Sequence, residues 1–303
     1  MARRPAVRPT ATWVAIPVIA VLAITVGALS LFAYQRAHPT VAMRSAAPVP
    51  TFSSETPSPE PPAPSPTALA PTIIDRTIER FFSVASRAMW RGVAGRCGVA
   101  SPLVERSADG GRTWVDVTPL YKQLTQVASL DAFTPTEGQL VGGVGVGCQT
   151  QALRTFTQGQ FWESYPDVLA ASSFVDLNDP SLVVTPGGTI AAPCATATGL
   201  RSAGTRLGIV CDGQAYTLDA ARSWQAVGVG DAVAVAFSAD GLLVGHEQST
   251  CAGLAITLAV DAAAPIDVGC AADVDPSDGA IALATDGSRV LVWAGDSIVD
   301  VAP

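Results

Sequence analysis

The chain has 303 residues, 49% of them hydrophobic, and a formal net charge of −8, a length suited to one medium domain with additional segments rather than a small stapled peptide. The acid excess lies after residue 72, where 24 Asp and Glu stand against 13 Lys and Arg, a net charge near −11. That balance excludes a nucleic-acid partner, which needs a positive footprint, and disfavours anionic lipid headgroups; a basic protein patch or cation-rich ligand suits it better.

In chain order, residues 1–12 form a short basic tail with Arg3, Arg4 and Arg8. Residues 13–34, WVAIPVIAVLAITVGALSLFAY, contain no charge and are bounded by Trp13 and Tyr34. As a helix this run covers a hydrocarbon core of roughly 30 Å, with aromatic rings at both interfaces. Pro17 falls in the first turns, where a missing N–H costs least. The segment is predicted to be a signal-anchor: single-pass in the cell membrane, N-terminus cytoplasmic, C-terminal domain extracytoplasmic. Arg36, His38 and Arg44 weaken the charge bias, so the orientation rests on keeping the cysteines out of a reducing compartment. The alternative is a cleaved secretory signal, whose apolar core is usually about 7–15 residues. Residues 35–71 are rich in Pro, Ser and Thr and are expected to serve as an extended stalk.

All six cysteines, Cys97, Cys148, Cys194, Cys211, Cys251 and Cys270, fall in the predicted extracytoplasmic domain, 72–303. An even count there fits disulfides in an oxidising compartment. The sequential pairing, 97 with 148, 194 with 211 and 251 with 270, is favoured because each closes a short loop. Zinc is the alternative, and it lacks a C-x-x-C pair or histidines at ligand spacing; His38 and His246 are the only histidines in the chain.

The domain reads as all-β. Its one plausible helix is IIDRTIERFFSVASRAMW, and the end of that segment already shares the strand rhythm that follows. After it come short apolar or alternating runs such as SLVVTP, RLGIVC, AVAVAFSADGLLVG and AIALATDGSRVLVWAG, broken by D-G and G-G turns.

Residues 107–114 read SADGGRTW, placing Ser107, Asp109, Gly111, Thr113 and Trp114 in the order S-x-D-x-G-x-T-W. This motif resembles the Asp-box, or bacterial neuraminidase repeat, of sialidase-like β-propellers. An Asp in such a hairpin accepts turn N–H groups, Gly supplies a backbone angle other residues avoid, and Trp packs on a neighbouring sheet. Two weaker echoes follow: Thr155, Gly159 and Trp162 in TFTQGQFW, and Thr217, Asp219 and Trp224 in TLDAARSW, where Ala221 replaces the glycine. The tryptophans are 48 and 62 residues apart, compatible with four-stranded blades plus an insertion. Cys97, Cys148 and Cys211 precede them by 17, 14 and 13 residues. With two further strand–turn–strand units toward the C-terminus, the resemblance implies a propeller of about five blade-like units; another all-β fold is the competing expectation.

In families that carry Asp-boxes the motif is structural and peripheral. Those families include sialidases and other glycoside hydrolases, and also non-enzymatic photosystem assembly factors and sorting receptors. A sialidase would need an arginine triad and a Tyr–Glu pair, which cannot be placed here; Glu163 and Tyr165 share a strand face by geometry alone. His246 beside Glu247 has no G-x-S-x-G partner, and Gly142–Gly147, GGVGVG, lacks the Lys-Ser/Thr of a phosphate loop and reads as a strand where side chains would crowd. Asp273, Asp275 and Asp278 cluster as oxygen ligands would for calcium, but a solvated turn explains them. No catalytic residue, metal ligand or cofactor is assigned. The Ala-, Pro- and Val-heavy composition, with Asn178 the only asparagine, fits a high-GC, actinobacterial source. The expected role is a non-catalytic cell-surface binding or assembly module for an envelope protein or glycan, held at the membrane by its N-terminal helix. The alternative is a carbohydrate-active hydrolase with an acidic cleft. Trp90, Phe161, Phe174, Phe237 and Trp293 are the aromatic residues available for a recognition surface or the core.

Overall fold

The computed structural model describes residues 76–260, 263–278 and 280–301. The predicted tail 1–12, membrane span 13–34 and linker 35–71 lie outside them. Among the described residues no helix is long and apolar enough to cross a membrane.

Short runs whose side chains alternate between two faces form meanders of antiparallel strands. The first sheet holds β1 (Arg80–Ala85), β2 (Ala88–Val93), β3 (Leu103–Ser107) and β4 (Val115–Asp116). The second holds β5 (Leu124–Ala132), β6 (Gly138–Val144), β7 (Gln149–Thr155) and β8 (Glu163–Ser164). A six-residue helix, α1 (Pro166–Ala171), leads into a short third sheet of β9 (Phe174–Val175), β10 (Leu182–Val184) and β11 (Ile190–Ala191). The fourth contains β12 (Thr198–Ala203), β13 (Arg206–Cys211), β14 (Gln214–Leu218) and β15 (Trp224–Ala226). The fifth contains β16 (Ala232–Phe237), β17 (Leu242–Glu247), β18 (Leu254–Ala259) and β19 (Ile266–Ala271), and the sixth β20 (Ile281–Thr285), β21 (Val290–Ala294) and β22 (Ser297–Val301). The first strand of each sheet touches the first strand of the next, and β20 returns to β1. The domain is therefore a closed, six-bladed β-propeller.

Both faces of each blade are occupied, because each of the six interfaces has its own apolar cluster. Adjacent Phe81 and Phe82 show how one strand serves two of them. Phe81 enters the cluster between blades 1 and 2 with Trp90, Leu140 and Trp162. Phe82 enters the cluster between blades 6 and 1 with Met89, Ala282 and Trp293. In a helix the two rings would stand only about 100° apart and could not enter opposite faces. That requirement overturns the expected helix: the segment becomes a short 3₁₀ turn and the β1–β2 hairpin, reversed at Ser86 with φ 58°.

The expected number of units, about five, is corrected to six. The additional blade is the third, hidden in the 62-residue interval between Trp162 and Trp224. Strands of two or three residues are too short to show a period. This blade is also laid out differently. Asp131 near the end of β5, Ser173 before β9 and Ser202 near the end of β12 line one hollow, whereas Asp176 after β9 accepts a hydrogen bond from Arg76 ahead of β1. β9 thus runs opposite to the inner strands beside it. α1 fills the adjoining space, setting Val168 and Leu169 on Ala128, Val141 and Ala152 of blade 2.

The cysteines pair 97–148, 194–211 and 251–270, with Cα–Cα separations of 6.1, 5.6 and 5.7 Å. Cys97 in the β2–β3 loop and Cys148 in the β6–β7 loop join blades 1 and 2. Cys194 ties the segment entering blade 4 to the end of β13, and the third bridge lies within blade 5. Loop-closure entropy grows with loop length, so the 51-residue bridge is expected to stabilise by about 4 kcal/mol and the 17-residue bridge by about 3 kcal/mol. Urea unfolding of the Cys97→Ser/Cys148→Ser and Cys194→Ser/Cys211→Ser pairs checks the order; a larger loss for the second pair contradicts it.

Candidate functional site

The three motif loops each connect the third and fourth strands of a blade. In the first, the buried Ser107 Oγ accepts from the amides of Gly111 (2.9 Å) and Asp109 (3.3 Å) and donates to Asp109 Oδ1 (2.8 Å). Asp109 Oδ1 also accepts the amides of Arg112 (3.1 Å) and Thr113 (3.0 Å), and Oδ2 the Thr113 hydroxyl (2.8 Å). The Thr113 amide, then the Ser107 and Thr113 hydroxyls, hold this carboxyl down at about 2. Trp114 Nε1 donates to the Gly111 carbonyl, and the ring joins the cluster between blades 6 and 1.

In the second loop Thr157 occupies the Asp place: its hydroxyl accepts the Phe161 amide (2.9 Å), and Thr155 Oγ1 accepts the Gly159 amide (3.1 Å). Gly111 and Gly159 both have φ +86°, and a Cβ on Gly159 would strike Val117 of blade 1. Trp162 is fully buried and donates to the Val117 carbonyl at 2.9 Å. In the third loop Asp219 accepts the Ser223 amide (2.8 Å), but the positive φ moves to Arg222 (61°) because Ala221 stands where glycine does elsewhere. Trp224 Nε1 donates to the Ala191 carbonyl of blade 3 (2.9 Å). These residues shape blade edges, and only the third loop reaches a cleft, through Asp219 and Arg222.

The axis is occupied by charge. Arg76 and Glu79 form a 2.7 Å ion pair with side chains 8% and 7% exposed. Glu79 Oε1 accepts the Gly199 amide (2.9 Å), and Arg201 Nη2 donates to the Arg80 carbonyl (2.8 Å), linking blades 1 and 4. Asp131 of blade 2 faces the same group. Burial pushes its carboxyl up against the pull of Arg201, while burial pushes Arg201 down against Glu79 and Asp131. Both side chains keep some solvent contact along the axis yet are ringed by protein, which is why desolvation outweighs attraction for each.

Beside the axis, over short blade 3, opens a cleft of about 340 Å³. Ser129, Ser172, Ser173, Thr185, Ser202 and Thr205 line it with hydroxyls, together with Asp131, Gln139, Asp219 and Arg222. Arg222 Nη2 reaches across from blade 4 to the Thr185 hydroxyl (3.1 Å) and the Gly188 carbonyl (3.2 Å). Asp219 is engaged by its own turn and by Gln225 Nε2 (3.2 Å). Asp131 is therefore the one lining carboxylate with no hydrogen-bond partner among the described residues. Such a wall binds polar groups, but two-carboxylate hydrolysis needs a second free acid.

The other candidates lie apart from this cleft. His246 is buried in blade 5 between the Glu247 carbonyl (3.1 Å) and the Thr257 hydroxyl (2.8 Å). Glu163 pairs with Lys122 at 2.8 Å. Gly142 sits in β6, where a Cβ would collide with the Gln126 carbonyl. Asp275 accepts from the amide and hydroxyl of Ser277, and among the described residues no three potential ligands converge on a metal position. Trp90, Phe174 and Trp293 are core residues, whereas Phe161 is exposed.

The exposed aromatic group was not read from the sequence. Phe133, Phe156 and Tyr165 on blade 2 are 47%, 49% and 36% exposed. Phe156 and Tyr165 meet edge to face with centroids 6.2 Å apart, and the Arg154 guanidinium lies 5.0 Å from each phenyl ring. The available signal was F-x-x at both hairpin ends of one blade, which needs the register to be recognised.

No protein-family model matches the sequence, and no curated protein matches it. Solved structures that resemble the fold include YCF48 bound to D1 peptide, at 12% identity over 73% of this chain and 76% of that one, with a TM-score of 0.41. A chain of the mitotic checkpoint complex covers 84% of this chain and 99% of its own at 13% identity, TM-score 0.42. The α-L-arabinofuranosidase CtGH43 from Clostridium thermocellum covers 76% and 96% at 10% identity, TM-score 0.39. One of these holds a peptide and another is a glycosidase, and likeness at this level says nothing of activity.

With its folded value near 2 and an unfolded value near 4, the Asp109 carboxylate contributes stability present above about pH 4 and lost as pH falls toward 2. Asp109→Asn is expected to lower the thermal midpoint at pH 7 and to flatten part of the acid slope between pH 5 and 2.5. Identical slopes for parent and variant would show that the loop does not depend on this charge.

Proposed function

We propose that the protein is a non-catalytic binding or assembly module of the cell envelope, and that its 107–114 loop is an Asp-box of the sialidase-like type. The observation that carries this reading is a contrast on one surface. The cleft offers a single unengaged carboxylate, Asp131, while the neighbouring rim exposes Phe133, Phe156 and Tyr165 around an arginine. Recognition surfaces are enriched in aromatic residues and arginine, and their anchors carry most of the affinity. The axis supports the same view, since its acids and bases compensate one another. The disulfides support an oxidising, extracytoplasmic location, with the 13–34 segment as the anchor and 35–71 as the stalk.

A second reading, a carbohydrate-active hydrolase, draws on Asp131 alone: burial raises its pKa, as for a general acid. It lacks the paired group, because Asp219 is held in its turn.

Two measurements check these readings. Mass mapping of the full chain after thiol alkylation without reductant is expected to find no alkylated cysteine; free thiols in protein taken from its native host would sink the extracytoplasmic location. Chromogenic glycosides are expected to show no turnover, and turnover abolished by Asp131→Asn would establish the hydrolase instead.

A further inference from the structure

Resting on the reading of a binding module, we infer that Arg154 is the anchor for an acidic side chain of an extended peptide segment, which lies over blade 2 and continues into the hydroxyl-lined cleft. Four arginines that contact aromatic rings also have polar acceptors. Arg91 pairs with Glu105, Arg106 donates to the Pro135 carbonyl, Arg201 to the Arg80 carbonyl and Arg206 to the Ser238 carbonyl. Arg154 has none: its Nε is buried without a hydrogen-bond partner, and among the described residues no carboxylate lies within ion-pair distance. The acid excess of the domain as a whole favours cationic partners, but a half-buried guanidinium without an adjacent acceptor carries a local desolvation cost, and that cost falls when a carboxylate arrives.

The strand register shows why its neighbours leave it uncompensated. Asp131, Gln139, Arg154 and Glu163 form one cross-strand row over β5, β6, β7 and β8. Register partners in antiparallel strands face the same side. Gln139 beside Arg154 is neutral, and Glu163 on its other side is held by Lys122. The phenyl rings of Phe133 and Phe156 occupy space around the guanidinium that water or an acid would otherwise take. The Nη donors, which are not buried and have no acceptor among the described residues, suit the two oxygens of a carboxylate.

The same row sets the path of the ligand. Asp131 and Gln139 line the cleft, and Arg154 is the next position outward. Adjacent strands are about 4.8 Å apart, so Arg154 stands about 10 Å from Asp131, the reach of some three residues of extended chain. Arg154 lies on an open strand face and not in a closed socket, so a chain passes over it. An internal Asp or Glu therefore fits better than a chain terminus. The Phe and Tyr rings flanking it favour an apolar residue beside the acid.

The test is affinity selection from a displayed library of terminally blocked random peptides on the immobilised full chain, repeated on Arg154→Gln and Arg154→Lys. The parent is expected to enrich Asp or Glu at one fixed place beside an aromatic or aliphatic residue. A selected peptide is expected to bind Arg154→Gln about tenfold more weakly, and its Glu→Gln counterpart to lose as much on the parent. Arg154→Lys, which keeps the charge without the fork, is expected to retain part of the acidic preference, and it supplies the answer if Arg154→Gln does not fold. The inference is overturned if no peptide is enriched, if enriched peptides lack an acid, or if the preference survives in Arg154→Gln. Glycoside turnover lost in Asp131→Asn would instead overturn the non-catalytic reading, whatever the selection shows.

Discussion

The propeller depends on closure of its last interface, made among the described residues without a shared strand. No blade buries both faces alone, so the seam between blades 6 and 1 must be as well packed as the five within the continuous chain. Among the described residues it is made by side chains: Phe82 and Met89 against Ala282, Leu291 and Trp293. Two arginines reinforce it. Arg80 lies 4.3 Å from the Trp293 ring, and Arg91, ion-paired with Glu105, stands between Trp114 at 4.1 Å and Trp293 at 5.2 Å. The motif loop of blade 1 belongs to this seam. Its Ser107 and Asp109 hydrogen bonds fix the turn that delivers Trp114 to it. The same logic recurs around the ring, because Trp162 leans on blade 1 and Trp224 on blade 3. Each loop orients an indole toward the preceding blade, so a local turn becomes an inter-blade contact.

What could be read in advance follows from the range of the interaction involved. Ser107, Asp109 and Gly111 act on neighbours within four residues, and their turn is legible as a turn. The six cysteines indicate bridges by number and location, and the favoured pairing is the one present. Of blade 3 only β10 was legible, within the SLVVTP run; β9 and β11 carry two residues each, too few to show alternation, and α1 interrupts the spacing of the tryptophans. The segment beginning at Ile73 looked helical since its apolar residues also fit a helical period; only the need to send Phe81 and Phe82 to different interfaces selects strands. Asp131, Arg154 and Arg201 were invisible for a related reason. Each is an ordinary charged residue in an ordinary strand, and register with distant strands gives it a role.

The cleft has a structural cause in that same irregularity. Around the rest of the ring, inner strands of five to nine residues bring apolar clusters close to the axis. At blade 3 the inner strand has two residues and runs the other way, so the wall between blades 2 and 4 is incomplete. The gap would be unstable if lined by large apolar side chains facing water, and serines and threonines line it instead. The Arg222 reach to Thr185 and the Gly188 carbonyl ties blade 4 to blade 3 across its margin. A site braced in this way loses little freedom on binding, which favours recognition of a polar ligand by preformed groups.

Charge placement is the ground on which recognition is proposed over catalysis. Acid–base chemistry needs neighbouring titratable groups whose environments drive their pKa values apart and leave both free to exchange protons. Here Glu79 is locked to Arg76 and the Gly199 amide, Asp219 is locked in a turn, and Asp131 shares the field of Arg201. Glu79 and Asp219 are thus engaged, whereas Asp131 is left without a hydrogen-bond partner among the described residues and its burial outweighs the pull of Arg201. Arg154, outside the axis and framed by rings, is a half-buried guanidinium with no polar acceptor among the described residues. An unpaired guanidinium at the mouth of a hydroxyl-lined cleft, in one row with Gln139 and Asp131, is the arrangement on which the proposed recognition of a polar ligand rests.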